Sequence, residues 1–100
     1  MCIFCKIAKK ETDTKIVYED CKTIAFYDIA PKANIHILII HKKHIESVKS
    51  NGSEKTVAQL IKTAKKIANE KNIQAFKLKF NVGKAAGQEV DHLHMHFLAN

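Results

Sequence analysis

At 100 residues the chain has the length of one domain, spanning 1–100, with room for a core but with a metal or a second subunit expected to help stabilise it. Hydrophobic residues make up 46% and no apolar run approaches the ~18 residues that cross a bilayer, which excludes a membrane-spanning helix; with no charged region and long apolar run at the start, a cytoplasmic protein is expected. Seventeen basic residues, all lysine, against ten acidic ones give a net charge of +7, a field that favours anionic partners, yet without arginine or a basic run longer than two, dedicated nucleic-acid binding is not expected.

The opening Met1-Cys2-Ile3-Phe4-Cys5-Lys6-Ile7-Ala8 spaces two cysteines so that one or two helical turns can present both thiols on one side. Such a pair serves a metal, a redox couple or plain packing. With Cys21 the cysteines total three, and an odd number argues against a disulfide framework and for a reducing compartment. Residues 15–19 and 23–28 read as two strands of a hairpin turning at Asp20-Cys21-Lys22. Pro31 marks a loop before residues 34–40, whose nearly continuous branched apolar run predicts a central strand covered on both faces. That strand ends in His41-Lys42-Lys43-His44, where titratable groups collect, as sites often do at strand ends; a solvated loop is the plainer reading.

Ser53 and Glu54 open a predicted amphipathic helix in which Val57, Leu60, Ile61, Ala64, Ile67 and Ala68 share one face, with Asn72 as its terminator. Residues 75–81 alternate, with Phe76, Leu78 and Phe80 expected inward. The glycine-punctuated stretch at 82–89 can approach a ligand closely and offer backbone N–H groups to an anion, although it lacks the strict phosphate-loop fingerprints.

It leads into Asp91-His92-Leu93-His94-Met95-His96-Phe97-Leu98, which holds three of the six histidines. A strand with period two would place His92, His94 and His96 on one face, ~6.5–7 Å apart, and Leu93, Met95 and Phe97 on the other. A lone histidine there would more often be structural; three in register point to chemistry on one bound group. The expected fold is α+β: about five mostly antiparallel strands, one long helix against the sheet and a short N-terminal helix.

The His-apolar-His-apolar-His-apolar-apolar pattern, preceded by Asn81 and Gly87-Gln88, resembles the signature of the histidine triad family. The likeness extends over Phe4 and Ile7, residues 25–31, Lys42-Lys43-His44-Ile45 and the helix, so it covers essentially the whole chain. It is similar to the small nucleotide-binding hydrolases of that family, in a bacterial form with Cys-x-x-Cys at the N-terminus. The resemblance implies a homodimer that hydrolyses purine nucleoside phosphoramidates or acyl-adenylates to AMP. In that scheme His94 is the nucleophile, His96 serves the phosphate and leaving group, and His92 completes the triad. Asp28 meets the ribose, Asn81 and the backbone of Gly87, Gln88 and Glu89 meet the phosphate, and Phe4, Ile7 and Phe26 (with Ile24) wall the base. The resemblance further implies a structural zinc held by Cys2, Cys5, His44 and His92.

Three positions depart from the family pattern: His41 stands where proline is usual, Glu89 where many eukaryotic relatives carry a small hydroxyl residue, and the sequence ends only four residues past His96, short of a C-terminal segment that in relatives reaches the partner's site. The alternatives are a dinucleoside polyphosphate hydrolase, a nucleotide-binding or partner-binding module without activity, and a catalytic metal held by all three triad histidines.

Overall fold

A computed structural model describes residues 2–100. In chain order its elements are α1 (Ile3–Ala8), β1 (Ile16–Glu19), β2 (Thr23–Tyr27), β3 (Ile35–His41), α2 (Ser53–Glu70), β4 (Lys77–Lys79) and β5 (His94–Ala99), with a 3-10 turn over Lys84–Ala86 before β5. The strands form one sheet in the order β1-β2-β3-β5-β4, every neighbouring pair antiparallel. The α+β reading therefore holds, with both helices in place. The hairpin turn closes because the Asp20 carboxylate accepts backbone N–H bonds from Lys22 and Thr23 at 2.9 and 2.8 Å.

β3 lies at the centre, and its side chains alternate between two cores. Ile37 and Ile39 join Met95, Phe97 and the inner face of α2. Leu38 and Ile40 join Phe4, Ile7, Ile24 and Phe26 under α1. A strand buried on both sides needs apolar residues at both parities, which explains its unbroken run.

Three sequence expectations are corrected. In α2 the buried face runs through Thr56, Leu60, Thr63, Ala64, Ile67 and Ala68, whereas Ile61 is 40% exposed and Val57 only half-buried. Apolar spacing missed the threonines because their hydroxyls become buriable only when satisfied, as Thr63 is by Thr23 across the core at 2.8 Å. The alternating run at 75–81 yields only three residues of strand, an edge on which Leu78 is 37% exposed. Phe76 is held by stacking on Phe97, their ring centroids 4.7 Å apart.

Finally, the triad does not lie on one strand. Pairing with β3 begins at His94 opposite Ile40, and His92 sits in a bend before it. The Leu93 N–H bonds the Ile45 carbonyl instead of the ladder. The apolar half of the alternation does face the core: Leu93, Met95 and Phe97 are all buried.

Candidate active site

A cavity of about 650 Å³ opens on the sheet face beneath α1. Phe4 and Ile7 reach it from α1 and Phe26 from β2; Asp28 follows β2, and His94 and His96 project from β5. Asn81, Gly87 and Glu89 complete the far wall. Gly87 adopts φ +96°, a left-handed conformation suited to glycine, and its carbonyl faces the Asn81 amide at 3.5 Å. Gln88 belongs to the loop but not to the cavity wall. Its side chain accepts from the Gly83 N–H and donates to the Glu46 and Val90 carbonyls, stapling the loop to the segment after β3. Ile24 is fully buried under Phe4 and does not line the cavity.

Hydrogen bonds assign the tautomers of the cavity imidazoles. His94 donates from Nδ1 to the His92 carbonyl at 2.7 Å, which leaves the Nε2 lone pair free. Burial holds His94 below the ordinary imidazole value, so near pH 7 it is neutral. The Phe4 ring meets it edge-on, centroids 4.9 Å apart, and fixes its plane.

His36 on β3 was overlooked in the sequence, where it reads as one polar residue in a core strand. It is 3% exposed and carries a relay. Its Nδ1 accepts the Lys32 N–H at 3.1 Å, so the proton sits on Nε2, which donates to His96 Nδ1 at 2.9 Å with Asp28 Oδ2 at 3.4 Å. Burial outweighs the Asp28 carboxylate and keeps His36 neutral. His96 therefore carries its own proton on Nε2, a buried atom with no partner among the described residues. Its pKa is pushed down to about 4 by burial, with His94, His36 and Lys79 adding to the effect. The rings of His94 and His96 lie 5.1 Å apart, and both residues line the cavity. Ile3 and Ile29, 48% and 100% exposed, also line the cavity. Neither had a sequence signal, since exposure on a cavity rim is a tertiary property.

Cys2, Cys5, His44 and His92 converge at the end of α1. The sulfurs are 3.3 Å apart, and the four sulfur to Nδ1 distances run from 3.2 to 3.7 Å. A tetrahedral zinc with bonds of about 2.3 Å to sulfur and 2.0–2.1 Å to nitrogen sets S···N at ~3.6 Å and S···S at ~3.8 Å, so the donor set accepts the ion once the two sulfurs part by about 0.5 Å. The outer shell fits too: His92 donates from Nε2 to the His41 carbonyl at 2.9 Å, which leaves Nδ1 as the ligating lone pair. Cys5 keeps its proton above the usual thiol range through burial and the adjacent Cys2. That proton would leave when a metal binds.

Asp28, His36 and His96 also lie close enough together to suggest a metal. The Lys32 N–H argues against it. A neutral His36 ligating through Nε2 would need its proton on Nδ1, where Lys32 already donates.

All 100 residues match the family model described as "Scavenger mRNA decapping enzyme C-term binding". The chain is 41% identical to the purine nucleoside phosphoramidase of Escherichia coli (strain K12) over 100 residues, covering 96% of this chain and 84% of that protein. A histidine triad protein from Clostridium difficile superposes with a TM-score of 0.94 at 42% identity, over 99% of this chain and 90% of that one. The chain belongs to the histidine triad family. Its relatives include hydrolases such as the one from Legionella pneumophila, and the protein is a hydrolase of that family. A zinc-bound histidine triad protein from Mycobacterium smegmatis superposes at a TM-score of 0.88 and 30% identity, over 99% of this chain and 74% of that one. No helix among the described residues is long and apolar enough to cross a membrane.

Proposed function

We propose that this histidine triad hydrolase cleaves purine nucleoside 5′-phosphoramidates or acyl-adenylates to AMP through a nucleotidyl-histidine intermediate at His94. The observation that carries the reading is the opposed pair of tautomers, a lone pair on His94 Nε2 and a proton on His96 Nε2, on neighbouring residues that line one cavity of about 650 Å³. Phe4, Ile7 and Phe26 offer apolar area to a base, with Ile3 and Ile29 at its rim. The Asp28 carboxylate, acceptor-only when ionised, suits ribose hydroxyls.

His94 Nε2 attacks the α-phosphorus and the bond to the leaving group breaks. An amine leaves with the proton from His96 Nε2. Water then adds to the phosphorus, its proton returns to His96, and His94 is released with AMP. Asn81 and the backbone at Gly87 to Glu89 stabilise the phosphoryl oxygens.

We assign zinc to the Cys2, Cys5, His44 and His92 site, as a structural ion. When bound it neutralises the two thiolates and anchors α1 to the bend at His92; these four donors leave no open position for chemistry. We further place the protein in the cytoplasm and read it as a homodimer joined along β4, where Leu78 is exposed on a short edge strand. Leu78→Asp should turn a dimer into a monomer by light scattering, and an unchanged mass would remove β4 from the interface.

The deciding experiment incubates the protein with adenosine 5′-phosphoramidate, stops the reaction by rapid alkaline quench because the P–N bond of the intermediate is acid-labile, and analyses the His94 peptide by mass under non-acidic conditions. AMP release with a nucleotidyl adduct on His94 is expected. Release without dependence on His94 would end the mechanism, and tight AMP binding without turnover would favour a binding module.

A further inference from the structure

We propose that Lys79, directly across from His96 on the neighbouring strand, selects substrates whose leaving group carries its own negative charge, a carboxylate or a phosphate. The inference rests on the nucleotidyl-transfer reading above and adds to it the class of leaving group.

The sheet register supplies the geometry. Phe26 pairs with Leu38, Leu38 with His96, and His96 with Lys79, so one row crosses β2, β3, β5 and β4. Directly paired residues send their side chains to the same face, and three strand spacings make the row about 14 Å long. A nucleotide with its base on Phe26 and its phosphorus between His94 and His96 lies along this row. The group opposite the attacking His94 then extends past His96 toward β4. Lys79 lines the cavity there.

The other charges on the cavity are placed differently. Asp28 and Lys32 are on the ribose side, where Lys32 contributes to the field at His36. Asp28 acts on His94, His96 and His36 alike, Glu89 acts on His94, and Lys79 acts on both His96 and His36. The ammonium therefore stands beside the imidazole that serves the leaving group, and the glutamate beside the nucleophile. Lys79 has no carboxylate partner among the described ion pairs, so its charge is open to a ligand.

A pair of substrates differing in one charge tests the assignment: adenosine 5′-phosphoramidates of alanine and of alaninamide. The ratio of their kcat/KM values, anionic over neutral, should fall about five-fold in Lys79→Gln, the size of a partly hydrated ion pair, and further in Lys79→Glu. Because any effect of Lys79 on His96 reaches both substrates, the ratio isolates the leaving group. An unchanged ratio in both variants overturns the proposal. The phosphate arm compares binding of α,β-methylene-ADP and AMP by calorimetry. Lys79→Gln should weaken the former about five-fold more than the latter, and equal losses confine the selection to carboxylates. If the unaltered protein turns over neither phosphoramidate, the hydrolytic reading fails, and the binding arm then decides Lys79 alone: equal losses there overturn it.

Discussion

The backbone carbonyl of His92 accepts the Nδ1–H of His94 at 2.7 Å, while the side chain of the same His92 turns the other way, toward Cys2 and Cys5. One residue thus belongs to both candidate centres: its imidazole is a donor of the proposed zinc site and its carbonyl sets the tautomer of the proposed nucleophile. Removing the nucleophile is the simplest test. His94→Ala should lower turnover at least about a thousand-fold while AMP affinity stays within a few-fold, because the base and ribose contacts remain. Calorimetry and AMP release measure the two separately.

If the proposed zinc and nucleophile assignments hold, the shared His92 couples metal to catalysis. Cys5→Ser should reduce bound zinc well below one per chain and lower Tm by roughly 10 °C, equivalent to ~2 kcal/mol in a domain of this size. It should also lower kcat more than it raises KM, since a loosened His92 carbonyl misplaces His94 without touching the base pocket. Elemental analysis, thermal denaturation and kinetics on the same preparation decide it. Normal kcat in a zinc-free protein would uncouple the two centres.

On the proposed mechanism His36, bonded to His96 Nδ1 at 2.9 Å, acts through His96 as a positioning residue. His36→Phe should lower kcat by about a hundred-fold, within the range for a disturbed proton transfer, with a smaller change in KM. His36→Gln should recover part of it, since its amide can donate to His96 Nδ1 as His36 Nε2 does. Equal loss in both variants would reduce His36 to a packing role.

Burial lowers the pKa of His36, His92, His94 and His96. A histidine whose folded value lies below its unfolded value of ~6.5 contributes stability fully above that pH and loses it as pH falls through the folded value. Stability should therefore decline from about pH 6.5 downward, and for His96 the decline continues to about 4. Thermal melts of chelated protein follow this without the metal, and His96→Gln should flatten the slope. The acid limb of kcat/KM should likewise fall below ~6.5, because His94 stays neutral there. A limb above that value would contradict the burial of the nucleophile.

Leu60 is fully buried in α2, and Leu60→Ala should cost about 2–5 kcal/mol by urea unfolding. Ile61→Ala, one position along and 40% exposed, should cost less than ~1 kcal/mol in the monomer. The reverse order would restore the helical face expected from apolar spacing alone.

Much of this protein was legible in its local pattern. The branched run of β3, the hairpin around Asp20, the extent of α2 and the core parity of Leu93, Met95 and Phe97 follow from periodicity and turn chemistry, which act over a few residues. The triad motif and its family likeness named Cys2, Cys5, His44 and His92 as a set, and the structure brings these four together. Tertiary contacts decided the rest. Whether Ile61 or Thr63 faces inward depends on a hydroxyl partner forty positions away on β2. His92 leaves the strand because Ile45 and His41, on a separate segment, hold its neighbour's backbone and its own ring. His36 joins His96 only when β3 pairs with β5. Local sequence specifies which faces are apolar; which proton sits on which imidazole nitrogen depends on donors and acceptors that only the folded chain brings into hydrogen-bond contact, at 2.7 to 3.1 Å here.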